Sequence, residues 1–256
     1  MDAAERVAAG FLEAERRRAA GAARGEVVEL DGVVMAFTNL ADESLNGGLV
    51  FGMPADPSAT IAAAEAAAAE RGQPLGLEVE RGRFPGVQEA LADAGLTPLF
   101  SHPAMTVDPA WMRRPTTPAG LRMMRVVDRA GLAAMVHVEV DAFGTDLEVA
   151  RGLLSMGMVR DPQTRAFVAM LDREPAAQSI AAYHERAVGV FGVGVRAGVR
   201  RRGIGAAMTV VAASAFPDAD LAWLHPTAGA RSVYERLGFR EVAVWDVWTR
   251  PRPANG

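Results

Sequence analysis

Arg200, Arg201 and Arg202 stand ahead of Gly203 and Gly205 in the stretch Val193–Ala206, which reads Val-Gly-Val-Arg-Ala-Gly-Val-Arg-Arg-Arg-Gly-Ile-Gly-Ala. The Val- and Gly-rich run entering it from Ala187 has the composition of a buried strand. The Ala-, Met- and Val-rich run leaving it, Ala206–Ala215, has that of a packed helix. Glycines in the turn between them remove the Cβ atoms that would hold a ligand off the backbone. The first amides of a helix have no intrahelical acceptor and point outward, with the positive end of the dipole behind them. Strand, turn and helix start therefore predict a site for a phosphate or pyrophosphate. The nucleotide P-loop does not fit, because it needs Gly-Lys-Ser/Thr and the chain has no Lys. The dinucleotide pattern Gly-x-Gly-x-x-Gly begins at Gly192-Val193-Gly194 and fails at Ala197. The same letters also suit a plain strand-to-helix turn with solvated arginines, so the rest of the chain has to decide.

What fits is Arg200-x-x-Gly203-x-Gly205-Ala206, which resembles motif A of the GNAT N-acetyltransferase superfamily, Gln/Arg-x-x-Gly-x-Gly/Ala. Downstream, Val233-Tyr234-Glu235-Arg236-Leu237-Gly238-Phe239 resembles the family's motif B, aliphatic-Tyr-x-x-Leu-Gly-Phe. The resemblance implies an α/β fold on a mixed sheet and acetyl transfer from acetyl-CoA to a primary amine by direct transfer. It implies that Arg200, Arg201, Arg202, Gly203, Ile204, Gly205 and Ala206 hold the pyrophosphate. Val193, Gly194 and Val195 would lie along the pantetheine on a strand splayed from its neighbour, with the Val193 or Val195 N–H polarising the acetyl carbonyl. Tyr234 would be the general acid that returns a proton to the departing thiolate. Where many relatives carry a CoA-contacting Asn, this chain has Thr227, which the resemblance places in the cofactor site with a weaker contact and whose hydroxyl could cap the following helix.

An amine nucleophile must be neutral, and alkyl ammonium groups titrate near ~10, so a base or desolvation is needed. The strand Val188–Val195 lacks the Glu that some relatives use. Glu139, Asp141, His184, Glu185 and His225 are the candidates, and a water chain could replace a dedicated base. By the same resemblance, Glu139, Asp141, Phe143 and Asp146 border the acceptor site, and His184 joins Glu139, Asp141 and Phe143 as a substrate-contact candidate. The acceptor itself stays open among antibiotic, polyamine, amino acid and peptide N-terminus. A noncatalytic CoA-binding protein and a nucleotide-binding module with a chance motif are the rival readings.

The elements that must position these residues occupy a chain of 256 residues, long enough for two domains. There is no Cys, which excludes disulfides and thiolate chemistry, and the four His lack metal-ligand spacing, so no metal is expected. Net charge is −4, against nucleic-acid binding. No run predicts a membrane span or a leader, so a cytoplasmic protein, possibly a homodimer, is expected. A helix over Ala3–Ala20 precedes a hairpin turning at Asp31-Gly32. A strand at Leu49–Met53 leads to a helix, Ala59–Arg71, opened by Asp56-Pro57. A strand Pro74–Glu80, a helix Phe84–Ala94 and a strand Thr97–Val107, interrupted at Pro103, follow.

The second half repeats that order. Its strands are expected at Gly120–Val127, Thr164–Asp172, Ser179–Glu185, Val188–Val195, Asp220–His225 and Phe239–Thr249, and its helices at Arg129–Val140, Leu147–Met156, Ala206–Ala215 and Ala230–Leu237. Ala90–Leu96 aligns with Val233–Phe239. Two tandem GNAT-like domains are expected: residues 1–110 without the cofactor motif, a linker at 111–119, and a catalytic domain at 120–256. The first would serve as scaffold or pocket wall. Met53-Pro54-Ala55-Asp56-Pro57 stands where its anion turn would be, and prolines withdraw amide donors.

Overall fold

A computed structural model describes residues 1–251; the last five residues of the expected second domain lie outside the described residues. Helix α1 (Ala3–Gly21) is started by Asp2, whose carboxylate accepts from the Glu5 amide while Glu5 reaches back to the Asp2 amide. Strands β1 (Glu26–Leu30) and β2 (Val33–Phe37) form the hairpin, and Gly32 supplies the positive φ (69°) that its turn requires. Then come β3 (Asn46–Val50), α2 (Pro57–Ala69), β4 (Gly76–Glu80), α3 (Pro85–Asp93) and β5 (Thr97–Val107). Pro103 does not interrupt β5: it pairs with Val244 of β11 and lies beyond Met105, where the pairing of β5 with β10 ends, so its missing amide hydrogen breaks no bond to β10.

The second half runs β6 (Leu121–Arg125), α4 (Arg129–Phe143), α5 (Leu147–Leu153), α6 (Met156–Arg160), β7 (Thr164–Leu171), β8 (Glu174–His184) and β9 (Ala187–Val195). It closes with α7 (Ile204–Ala213), β10 (Leu221–Leu224), α8 (Arg231–Leu237) and β11 (Arg240–Thr249). Three elements differ from expectation for local reasons. Helix α4 continues past Val140 and stops only where Gly144 turns left-handed, so Asp141 and Phe143 are helical. The expected helix over 147–156 is two helices, because Ser155 leaves the helix to cap α6 and donates to the Gly21 carbonyl at 2.7 Å. Strand β8 starts earlier than Ser179, since the positive-φ pair Asp172-Arg173 closes a tight hairpin with β7.

All strands join one sheet in the order β1-β2-β3-β4-β11-β5-β10-β9-β8-β7-β6. Each half contains one parallel pair, β3 with β4 and β9 with β10, and the final strands are exchanged. β5 of the first half pairs with β10, and β11 of the second pairs with β4. Helix α1 binds both halves: Arg16 pairs with Glu29 on β1 at 2.8 Å, and Arg17 donates to the Tyr183 carbonyl on β8 at 2.7 Å. Its Phe11 sits edge-on to Trp223 of β10 and Trp245 of β11, with centroids 5.9 and 5.7 Å away.

Candidate functional site

Strands β9 and β10 pair only from Ala187 opposite Leu221 to Gly189 opposite Trp223. Beyond that point β9 runs on to Val195 with β8 as its only strand partner. The sheet therefore splits there, leaving one edge of Val190–Val195 open to an extended ligand. A register shift between Gln178 and Ile180 and a positive φ at Gly192 (55°) mark a bulge at the split. A Cβ at Gly194 would come within 2.7 Å of the Phe143 ring and 3.2 Å of the Ala142 Cβ, so a side chain there would displace the ring.

At the mouth of the split, Gly203 starts α7 at φ 79°, ψ 0°, with no side chain capping the helix. Intrahelical bonding begins with the Ala207 amide, which donates to the Gly203 carbonyl, so the amides of Ile204, Gly205 and Ala206 are free of intrahelical acceptors. Arg201 and Arg202 are exposed here and make no hydrogen bond or ion pair with a described residue. Arg200 instead folds back, donating to the carbonyls of Val195 at 3.0 Å and Ala142 at 2.8 Å. Asp141 accepts from the Ala197 amide and from Arg196, which hold its carboxyl below the usual range. Both residues brace the turn against α4.

Tyr234 on α8 packs in one apolar cluster with Val190 and Val193 of β9 and Ala206 of α7. Burial pushes its phenol up. The hydroxyl bonds to no described residue, and it is not among the fully buried unpaired polar atoms. Thr227 does not cap α8 with its hydroxyl as expected. Its carbonyl accepts from the amides of Ala230 and Arg231 at 2.9 and 3.2 Å.

On the other face of β9 lies a cavity of about 590 Å³. Glu139, Phe143, Ile180, Phe191 and Gly192 line it from the second half, and α1 lines it with Ala14, Arg17 and Arg18. Glu139 is buried, and desolvation raises its carboxyl above the usual range despite two donors. These are the Thr145 hydroxyl at 3.0 Å and the Gln178 amide nitrogen. Gln178, wholly buried in a strand of small apolar residues, is the positioning group that sequence reasoning missed. Its signal is a long polar side chain, with only Ser179 beside it, inside Ala176–Ala182.

The remaining candidates lie elsewhere. His184 sits at the β8–β9 hairpin, 3.9 Å from Glu185, and neither lines the cavity. Asp146 caps α5 through the Glu148 amide. His225 is enclosed by Phe11, Trp223 and Trp245, with its Nδ1 2.7 Å from that of His102. Burial, then the neighbouring His102, pull it down to about 3, so it stays neutral.

A mixed sheet that splits between β9 and β10 beside an uncapped helix belongs to the fold shared with the GCN5-related (GNAT) N-acetyltransferases, a tandem GNAT protein among them, and the chain has that fold. It is similar to a GCN5-related N-acetyltransferase from Kribbella flavida, at 25% identity and TM-score 0.78 over 100% of this chain and 98% of that one. It is also similar in fold to such a protein from Sphaerobacter thermophilus (16% identity, TM-score 0.63, 87% of this chain and 78% of that one). A tandem GNAT protein from the clavulanic acid biosynthesis pathway matches at 16% identity and TM-score 0.61, over 86% of this chain and 79% of that one. No protein-family model and no curated protein matches the chain.

Proposed function

We propose that the protein is an acetyl-CoA-dependent N-acetyltransferase acting on a primary amine of a small molecule or peptide. The observation that carries this reading is the uncapped start of α7 at Gly203, placed at the mouth of the β9–β10 split. The residues present fit the donor: free amides at 204–206 and the unpaired Arg201 and Arg202 suit its pyrophosphate, and the open edge of β9 around Val193–Val195 suits its pantetheine. Bound there, acetyl-CoA supplies an activated acyl group on sulfur.

The chain's own residues then have proton work to do. Tyr234 holds a phenolic proton with no protein acceptor, suited to protonating a thiolate. Glu139 takes the place of the strand acid that β9 lacks. A buried carboxyl with a raised pKa is a stronger base than an exposed one and is poised to take a proton from an ammonium in the cavity. Arg200 and Asp141 act as braces of the turn rather than as ligand contacts. Residues 1–110, followed by the 111–119 linker, serve as scaffold and, through α1, as a wall of the amine cavity.

Calorimetric titration with acetyl-CoA, followed by thiol release over a panel of amines, tests the reading. Failure to bind acetyl-CoA refutes it. Tight binding without turnover of any amine favours the noncatalytic CoA-binding alternative, which Thr227 and the acid-free β9 support.

A further inference from the structure

The first half holds a cavity of its own. It measures about 580 Å³, nearly the volume of the amine cavity, and falls within the range of small-molecule sites. Strands β2, β3, β4 and β11 form its floor through Val34, Gly47, Leu49, Gly76, Glu78 and Val247. Leu99 and Phe100 on β5 also line it and stand 66% and 54% exposed. The hollow at Gly76 exists because a side chain is missing: no atom lies within 4 Å of the place a Cβ would take.

Glu15 and Arg18 of α1 line both cavities, so the two abut across one half-buried ion pair. Desolvation raises the Glu15 carboxyl even beside Arg18. Arg18 is the only basic side chain of the lining, and Glu15 already engages it. Glu78 meets the His102 ring at 2.8 Å through one oxygen and bonds no described residue through the other. The lining thus offers apolar walls, an aromatic ring and a spare Glu78 oxygen, and sets four carboxylates against one cation, Arg18, whose Nε bonds no described residue.

The anion turn of this half is closed. The Ala55 amide donates to Asp31 at 2.6 Å and the Ala59 amide to Asp56 at 3.0 Å, while Pro54 and Pro57 have no amide hydrogen. The cavity is separate from that turn, since none of residues 51–59 lines it.

We propose that this cavity is a second small-molecule site, binding a protonated amine carried on an apolar body without reacting with it. A cation pairs with Glu78 and lies against Phe100, while the apolar walls take the remainder. An anion would face the carboxylates of Glu15, Asp42, Glu43 and Glu78 against one arginine, and a neutral ligand would strand the Glu78 oxygen. The proposal stands whether or not the second half transfers acetyl groups.

The test is amide chemical-shift mapping of the full chain, without acetyl-CoA, titrated with 2-phenylethylamine, 2-phenylethanol and 3-phenylpropionate. Expected are saturating shifts at Gly47, Gly76 and Glu78 with the amine, at least tenfold weaker binding of the alcohol and none of the carboxylate. Gly76→Leu should fill the hollow and abolish these shifts, with the rest of its spectrum reporting an intact fold. Glu78→Gln, a variant that leaves the cavity open, should weaken the amine about tenfold, or about 1.4 kcal/mol. Shifts confined to the surroundings of Gly192, alcohol binding equal to amine binding, or no saturable shift at all would overturn the proposal.

Discussion

Replacing Gly203 by Asp separates the anion site from the fold that carries it. Gly203 sits at φ 79°, where a side chain costs about 1 kcal/mol, somewhat less for Asp, which tolerates that region. No clash adds to this, since the nearest atom to a new Cβ is the Thr116 carbonyl oxygen at 3.6 Å. A carboxylate at an uncapped helix start returns about 0.3–1 kcal/mol through the dipole. Net stability should therefore change by less than about 1 kcal/mol, and Tm by no more than about 3 °C for a chain of this size. Binding should behave differently. The carboxylate takes up amides meant for the pyrophosphate and repels it, and each charge-assisted bond lost is worth about 1.5–3 kcal/mol. Two such losses weaken acetyl-CoA at least about 100-fold. Gly203→Ala, which lacks the carboxylate's return, should show a somewhat larger thermal cost, about 1 kcal/mol, and a smaller loss of affinity. Titration calorimetry beside thermal unfolding reads both quantities. Wild-type affinity in a folded Gly203→Asp protein would refute the placement of the donor at α7.

Tyr234→Phe should lower kcat about 10²–10⁴-fold in a thiol-release assay with Tm unchanged, because the hydroxyl has no protein bond to lose; an unaltered kcat would exclude the phenol as acid. Glu139→Gln should lower kcat and remove the acid limb of the pH–rate profile. Because the folded pKa of Glu139 is raised, its stabilising contribution is complete below 4.5 and lost as pH rises through the folded value. The Gln variant should thus be no less stable than wild type at pH 7, and a lower Tm there would contradict this. His225 has the opposite sign: its folded value of about 3 lies below 6.5, so stability present above pH 6.5 falls as the solution is acidified toward pH 3. Urea denaturation should show up to about 1.4 kcal/mol lost per pH unit from this site, and His225→Leu should flatten that slope.

Much of the local structure is legible because single residues decide it. Asp31-Gly32 dictates a hairpin, Asp56-Pro57 a helix start, and Gly238 a helix end at φ 106°. The strand–turn–helix around Gly203 is legible for the same reason. Long-range pairing is not. Nothing in the alternation of Thr97–Val107 says that β5 leaves its own half to pair with β10, because a strand with both edges satisfied reads alike in either place. The roles of Arg200 and Thr227 were hidden differently. A guanidinium near a phosphate turn suits the ligand or the carbonyls of its own loop equally well, and only the path of α4 past Val140 brings the Ala142 carbonyl within reach. Gln178 is conspicuous only once β8 is known to be covered on both faces.

The two halves differ most where they are most comparable, at the helix that follows the parallel pair's first strand. In the first half that helix is satisfied by its own chain: Asp56 accepts from the Ala59 amide, and Pro57 has no hydrogen to offer. In the second, Gly203 leaves the corresponding donors unpaired, an omission that costs roughly a few tenths of a kcal/mol of helix stability. Helix α7 tolerates it because Ile204, Met208 and Ala212 are buried against the sheet, so packing rather than capping holds the helix in place. A carboxylate in the chain and a phosphate from solution are alternative answers to the same unmet amides. Asp56 shows the first answer built in, and Gly203→Asp would install it in the second half. If the substituted protein keeps its fold and loses acetyl-CoA, the missing cap at Gly203 is the feature that separates a donor-binding half from one that only holds a pocket.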